Sequence, residues 1–197
     1  MDSYFENFKN IKRAICACSG GVDSMVLAFL MKKHLPNCDL HVIIVNHNIR
    51  KVSCKESAEV ENYLKKNGFK VQVLHWQHAE IESGIEDKAR KARQKLIFEY
   101  AIRNEINNIF FGHHADDLIE NFFIKLEMQA GIFGLSSSTQ EKIFRWNGFY
   151  FKLIKPLNFI YKREILEFAK KENIFFVEDE GNFGTYFKRS RISIFLS

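Results

Sequence analysis

Apolar residues in this chain fall into short unbroken runs that alternate with longer stretches of helical periodicity. Arg13-Ala14-Ile15-Cys16-Ala17-Cys18 is such a run, closed by Ser19-Gly20-Gly21, and reads as a buried strand entering a tight loop. Over residues 24–34 the apolar positions Met25, Val26, Leu27, Phe29, Leu30 and Met31 predict a helix with a wide buried face, stopped by Pro36. Residues 40–45 form a second apolar run. Ser53 and Glu56 have capping-box spacing and predict a helix opening there and running to about residue 67, with Gly68 as its stop. Residues 69–74 read as a third strand and 85–104 as a long charged helix. Ile109-Phe110-Phe111 is a fourth strand before Gly112-His113-His114, and residues 115–127 a further helix.

Strands that are near-continuous apolar runs need cover on both faces. Four of them alternating with helices predict a doubly wound, mostly parallel, Rossmann-like α/β sheet. The pattern changes after Gly134. Residues 143–146 and 149–152 flank Asn147-Gly148, the preferred two-residue hairpin turn, because both central positions need positive φ. Lys155-Pro156-Leu157, a helix over 162–173 and a short last strand at 174–177 follow. The expected organisation is one domain over 1–197, with a core at about 11–135 and a hairpin-plus-helix extension over 136–197.

Composition narrows the picture only slightly. With 197 residues, 46% apolar and 27% charged, the chain can bury a full core without disulfides or a structural metal. No apolar run approaches the ~18 residues of a membrane helix. The first residues lack a charged-then-apolar signal pattern, so a cytoplasmic protein is expected. The net charge of +5 is compatible with a polyanionic partner without requiring one. The cysteines Cys16, Cys18, Cys38 and Cys54 form no C-x-x-C pair, which argues against zinc, a disulfide framework or an iron–sulfur cluster.

Ser19-Gly20-Gly21-Val22-Asp23-Ser24 stands at a strand–helix junction. Its glycines let backbone N–H groups approach a ligand, its hydroxyls add donors, and the next helix supplies a positive end. The result is an anion cradle, without the G-x-x-x-x-G-K-S/T string of the common nucleotide loop. This hexapeptide resembles the pyrophosphate loop of the N-type ATP pyrophosphatases. Such enzymes share an adenine-nucleotide α-hydrolase-like fold and split ATP between its α and β phosphates.

Later strings narrow the resemblance. Asn46-His47-Asn48-Ile49-Arg50 follows the second strand, and Ala89-Arg90-Lys91-Ala92-Arg93 lies on the long helix. Gly112-His113-His114-Ala115-Asp116-Asp117-Leu118-Ile119-Glu120, Gly131-Ile132-Phe133-Gly134-Leu135 and Lys155-Pro156-Leu157 follow. In this order they resemble the catalytic domain of the tRNA(Ile)-lysidine synthetases, cytoplasmic ligases that act in tRNA modification. The resemblance implies ATP with Mg²⁺, L-lysine, and an isoleucine tRNA with a CAU anticodon. Cytidine O2 would attack the α-phosphate, and the lysine ε-amine would then displace AMP at C2 to form lysidine. It implies ATP contacts from Ser19, Gly20, Gly21, Val22, Asp23, Ser24, Gly112 and His113. Asp117 and Glu120, with Asn46, would hold lysine; Asp117, Glu120 and Arg189 would be catalytic.

Asp117 and Glu120 are spaced i, i+3 and can share a helix face. Asp116 and Asp117 are the candidate Mg²⁺ ligands. His47, Arg50, Arg90, Arg93, Lys188 and Arg191 are candidates for tRNA phosphates. Phe122 is expected to face the core. The tail departs from the family pattern at Gly181, Ser190 and Ser193, and the tRNA-gripping C-terminal domains of such enzymes are not within these 197 residues. The alternatives are a tRNA 2-thiolation enzyme of the same superfamily, or a nucleotide- or tRNA-binding module without turnover. Oligomeric state is open, a homodimer included.

Overall fold

The computed structural model describes residues 2–48, 51–78, 83–127 and 140–177. Its strands are β1 (Arg13–Cys18), β2 (Asp39–Asn46), β3 (Lys70–His75), β4 (Asn108–Phe111), β5 (Glu141–Trp146) and β6 (Phe149–Ile154). The helices are α1 (Val22–His34), α2 (Lys51–Lys66), α3 (Ile85–Arg103), α4 (Ala115–Glu127) and α5 (Lys162–Lys171). The strands form one six-stranded sheet in the order β3-β2-β1-β4-β6-β5. All neighbours are parallel except β5 and β6. This is the doubly wound α/β sheet that the pattern predicts.

Alternation along β1 divides the core in two. Ala14, Cys16 and Cys18 face one side, where α1, Val60 and Leu64 of α2, and Ile165 and Ala169 of α5 pack. Ile15 faces the other, against Ile97, Phe98 and Ala101 of α3. An N-terminal 3-10 helix, Asp2–Phe8, adds fully buried Phe5 and Phe8 to the first side, and the periodicity does not announce it. Fully burying a Phe side chain contributes ~1.5–3 kcal/mol, so this short segment is tied down by its aromatics.

Several details differ from the pattern. The hairpin turn forms as predicted, with Asn147 at φ 47 and Gly148 at φ 83. The hairpin does not stand apart, however: β6 pairs with β4 through Asn108↔Lys152 and Ile109↔Leu153, so residues from the expected extension complete the central sheet. Helix α2 begins at Lys51, ahead of the Ser53 start that capping-box spacing suggests. Residues 174–177 are not a strand; instead Val177 N–H donates to the Gly20 carbonyl at 3.0 Å, tying this segment to the loop after β1.

Candidate functional site

Chain order reverses at β1, since β2 lies on one side of it and β4 on the other. Ligands of open α/β sheets bind beyond the strand carboxyl ends at such a point. A cleft of about 630 Å³ lies there, lined from β1, β2, β4 and the loops that follow them. That volume is in the range of small-molecule sites.

The loop after β1 is held by its own hydroxyls. Ser24 Oγ accepts from Ser19 N–H at 3.1 Å and donates to the Gly21 carbonyl at 2.9 Å, with Ser19 Oγ 3.3 Å away. Part of the expected ligand-binding capacity of Ser24 therefore shapes the loop. Gly20 has φ +90, and a Cβ there would lie 2.9 Å from Val60, so the turn and its packing on α2 both need glycine. Helix α1 starts at Gly21 with no side-chain cap, which leaves its first N–H groups available to an anion. Gly112 closes the cradle from β4: a Cβ there would meet the Asp23 carbonyl group and Ser24 N, each at 3.0 Å. The glycine lets the two motif loops touch through their backbones.

The acids gather around His114. Its Nε2 is 3.8 Å from Asp23 and 3.7 Å from Asp117, and its Nδ1 is 3.4 Å from Asp116. Asp117 Oδ2 accepts from His114 N–H at 3.0 Å, a reach back over the first turn of α4 that satisfies a helix-end donor. Asp116 Oδ2 accepts from Lys162 N–H at 2.8 Å. The Lys162 ammonium donates to both oxygens of Asp23, at 2.7 and 2.6 Å. Each carboxylate thus has a protein partner. Among the described residues no three His, Cys, Asp or Glu side chains are grouped to hold a metal ion. The donors present do fit a magnesium ion that arrives on a nucleotide, since such an ion needs only one or two carboxylates beside phosphate oxygens.

Positive charge also lines the cleft, from Arg93. Burial pushes His113 down to about 4 from its ordinary 6.5, aided by Lys155 and Arg93 and opposed by Asp117. Burial likewise lowers His47, with Arg93 and His78 adding to it. Burial and Arg90 lower the guanidinium of Arg93. Neither His47 Nδ1 nor His113 Nδ1, both buried atoms, has a hydrogen-bond partner among the described residues. Neutral imidazoles and crowded cations make this wall a place for anionic and hydrogen-bonding groups.

Of the residues the sequence brings forward, Ser19, Gly21, Asp23, Ser24, Asn46, His47, Arg93, Gly112, His113 and Asp117 line the cleft. The others do not. Val22 is 6% exposed and its side chain belongs to the core, so only its backbone is left for a ligand. Glu120 is one turn beyond Asp117 on α4, outside the lining. Arg90 is exposed and bonds Asp87 at 3.2 Å, while Arg93 turns inward. Phe122 is 44% exposed rather than core-facing, because α4 leaves that position outside the packed layer. Arg50, Lys188, Arg189 and Arg191 lie outside the described residues. The sequence pattern missed Lys162 and Glu56. Glu56 lines the cleft from α2 instead of capping it, and no motif or spacing in the sequence marks either residue as part of the site.

The family described as the PP-loop domain matches residues 1–196. The chain is similar to the tRNA(Ile)-lysidine synthase of Orientia tsutsugamushi, at 32% identity over 191 residues, covering 96% of this chain and 42% of the relative. It is also similar to that of Rickettsia rickettsii, at 35% over 194 residues, covering 98% and 39%. The chain thus spans about two-fifths of the length of these curated relatives. Among solved structures it is similar to the U34-tRNA thiolase NcsA from Methanococcus maripaludis with its 4Fe–4S cluster, at a TM-score of 0.74 and 21% identity, covering 95% of this chain and 64% of that one. A second is the NH3-dependent NAD synthetase from Campylobacter jejuni, at a TM-score of 0.56 and 16% identity, covering 99% and 77%. At these identities the two structures establish the shared fold.

Proposed function

The chain belongs to the PP-loop family, and we propose that it carries the catalytic site of an ATP-dependent ligase joining L-lysine to C2 of the wobble cytidine in an isoleucine tRNA with a CAU anticodon. The observation that carries this reading is the joint cleft. The Ser19–Ser24 loop, Gly112 and Asp117 meet in one cavity, so a triphosphate and an amine acceptor would share a site. Cytidine O2 attacks the α-phosphate; the Pα–O–Pβ linkage breaks and pyrophosphate leaves. The lysine amine then forms the N–C2 bond as the C2–O2 bond breaks and AMP departs. The amine must be neutral to attack, and its reference pKa is ~10.4, so Asp117 serves as its proton acceptor, with Asn46 bordering the lysine and Glu120 one turn beyond Asp117.

First-turn N–H groups of α1 hold phosphate oxygens, and Gly112 and His113 border the nucleotide. Asp117, with Asp116 beside it, would hold Mg²⁺ brought by ATP; the ion would supply charge neutralisation on the phosphates. Arg93 and His47 border the polynucleotide at the cleft, and Arg189 acts near the cytidine. Such an enzyme works in the cytoplasm, and a homodimer is compatible with the reading.

The cysteines favour lysine ligation over cluster-dependent 2-thiolation. Cys16 and Cys18 are fully or almost fully buried in β1, and burial pushes both thiols up, with Cys38 at about 11. Thiolates are what a cluster needs.

The test is pyrophosphate release with CAU-anticodon tRNA, with and without lysine, followed by mass spectrometry of the nucleosides. Lysidine formed only with ATP and lysine is expected, and Asp117→Asn should lower it by at least about tenfold through loss of a charge-assisted bond and the proton acceptor. A sulfur-containing nucleoside would replace this reading with thiolation. ATP binding without turnover would leave a binding module.

A further inference from the structure

We propose that Lys162 is a positioning residue of the phosphate loop: its ammonium neutralises and aims Asp23, so that a carboxylate in an anion cradle does not repel the triphosphate. The inference rests on the reading of the cleft as an ATP site. Asp23 is the only acid among residues 19–24, and it lines the cleft on the first turn of α1. Left alone, it would oppose the task of the N–H groups beside it.

Lys162 removes that conflict. It bonds both carboxylate oxygens of Asp23, at 2.7 and 2.6 Å, from a position 139 residues away in sequence. Its ammonium is spent on the Asp23 carboxylate, so it acts through Asp23.

The geometry separates this pair from an ordinary surface ion pair, where a long mobile side chain gives little. The Lys162 backbone is fixed at its root: its N–H donates to Asp116 Oδ2 at 2.8 Å. Tyr161 N–H is held by Glu164 at 2.9 Å, and Ala115 N–H donates to the Ile160 carbonyl at 2.9 Å. One residue therefore joins two motifs, with its backbone on the α4 acid and its ammonium on the phosphate loop. His114 Nε2, 3.8 Å from Asp23 Oδ1, and Asp117 complete the groups around the pair.

The consequence is specific. Without Lys162, Asp23 loses the ammonium that compensates its charge, and magnesium becomes a cation able to mask it. The experiment is calorimetric ATP binding in EDTA and again in excess Mg²⁺, on the wild type, Lys162→Met, Lys162→Arg, Asp23→Asn and the double variant Asp23→Asn/Lys162→Met. Metal-free affinity should fall about tenfold or more in Lys162→Met, the scale of one charge-assisted bond. The deficit should shrink in Mg²⁺, Lys162→Arg should stay close to wild type, and the double variant should recover metal-free binding. A merely structural role for Lys162 predicts no such recovery. Metal-free affinity of Lys162→Met equal to wild type, or a double variant as weak as Lys162→Met, overturns the proposal. Should Lys162→Met fail to fold, Lys162→Gln enters the same cycle with the same outcomes. A wild type that binds no ATP in either buffer overturns the nucleotide reading itself, a result distinct from binding that ignores Lys162.

Discussion

At the amino end of β2, His41 has both ring nitrogens engaged. Nδ1 is 2.8 Å from the Tyr100 hydroxyl, and Nε2 is 3.1 Å from Asp39 Oδ2 and 2.7 Å from Lys70 Nζ. Just past the carboxyl end of the same strand, His47 has a buried Nδ1 with no partner among the described residues, and Arg93 presses against it. His113 repeats that condition after β4, beside Lys155 and Arg93. One end of the sheet thus combines His, Asp, Lys and Tyr into a network in which each His41 ring nitrogen has a partner, Nε2 donating to Asp39 or accepting from Lys70 according to the tautomer. The other gathers similar side chains and leaves polar atoms open. A buried polar group without a partner costs ~1–3 kcal/mol, so a fold keeps such groups where a ligand supplies the partner. The contrast between His41 and the pair His47 and His113 supports the carboxyl end as the ligand-binding end proposed above.

The sharpest way to break the comparison is to fill the working end. Gly112→Val places carbon where the Asp23 and Ser24 backbones already stand at 3.0 Å, and these backbone atoms cannot rotate away. ATP binding should be lost, by about a hundredfold or more, while thermal stability changes by only the ~1–3 kcal/mol typical of overpacking. Calorimetry and a melting curve on one preparation check it. Intact ATP binding would mean that the loops do not form the cradle.

The next effect is on pH dependence. His113 in the folded chain is held at about 4 against an ordinary 6.5. A base whose folded value is depressed contributes stability that is present above the ordinary value and is lost as pH falls toward the folded one. The chain should therefore lose roughly 3 kcal/mol between about pH 6.5 and pH 4 from this residue. His113→Gln should flatten that part of the stability curve, measured by denaturant titration across the window. An unchanged slope would place the proton elsewhere.

At the opposite end, His41→Leu removes the centre of the matched network. A loss of ~1–2 kcal/mol in unfolding free energy is expected, with ATP affinity within about twofold of wild type. If ATP affinity falls instead, the two ends are coupled and the comparison fails. The smallest effect concerns the basic helix. If Arg93 meets a phosphate at the cleft, Arg93→Ala should reduce the log–log salt slope of tRNA binding by about one, and Arg90→Ala, already paired with Asp87, by much less. Equal changes would return both arginines to a common solvated face.

Much of the fold was legible along the chain because its signals are local. Residues 13–18, 40–45 and 109–111 are apolar runs short enough for strands and bounded by turn residues, and the strands extend one residue beyond the last two at their amino ends. The Asn147-Gly148 turn follows from positive φ at two positions, and the anion loop from glycines at a strand–helix junction. Capping-box spacing misled at Ser53 because that pattern also occurs inside a helix, and α2 starts two residues earlier. The run at 174–177 has strand-like residues but no sheet edge beside it: β3 and β5 hold the edges, and Val177 bonds the phosphate loop instead.

The sequence by itself determined the alternation of strands and helices, the loop hexapeptide and the lack of a C-x-x-C pair among its cysteines. These depend on periodicity and backbone sterics that act within a few residues. The tertiary structure decided that β6 joins β4, that Arg93 enters the cleft while Arg90 leaves it, and that Lys162 crosses the chain to Asp23. Those outcomes depend on which elements stack against which, and so on desolvation and charge pairing between residues that no local spacing connects.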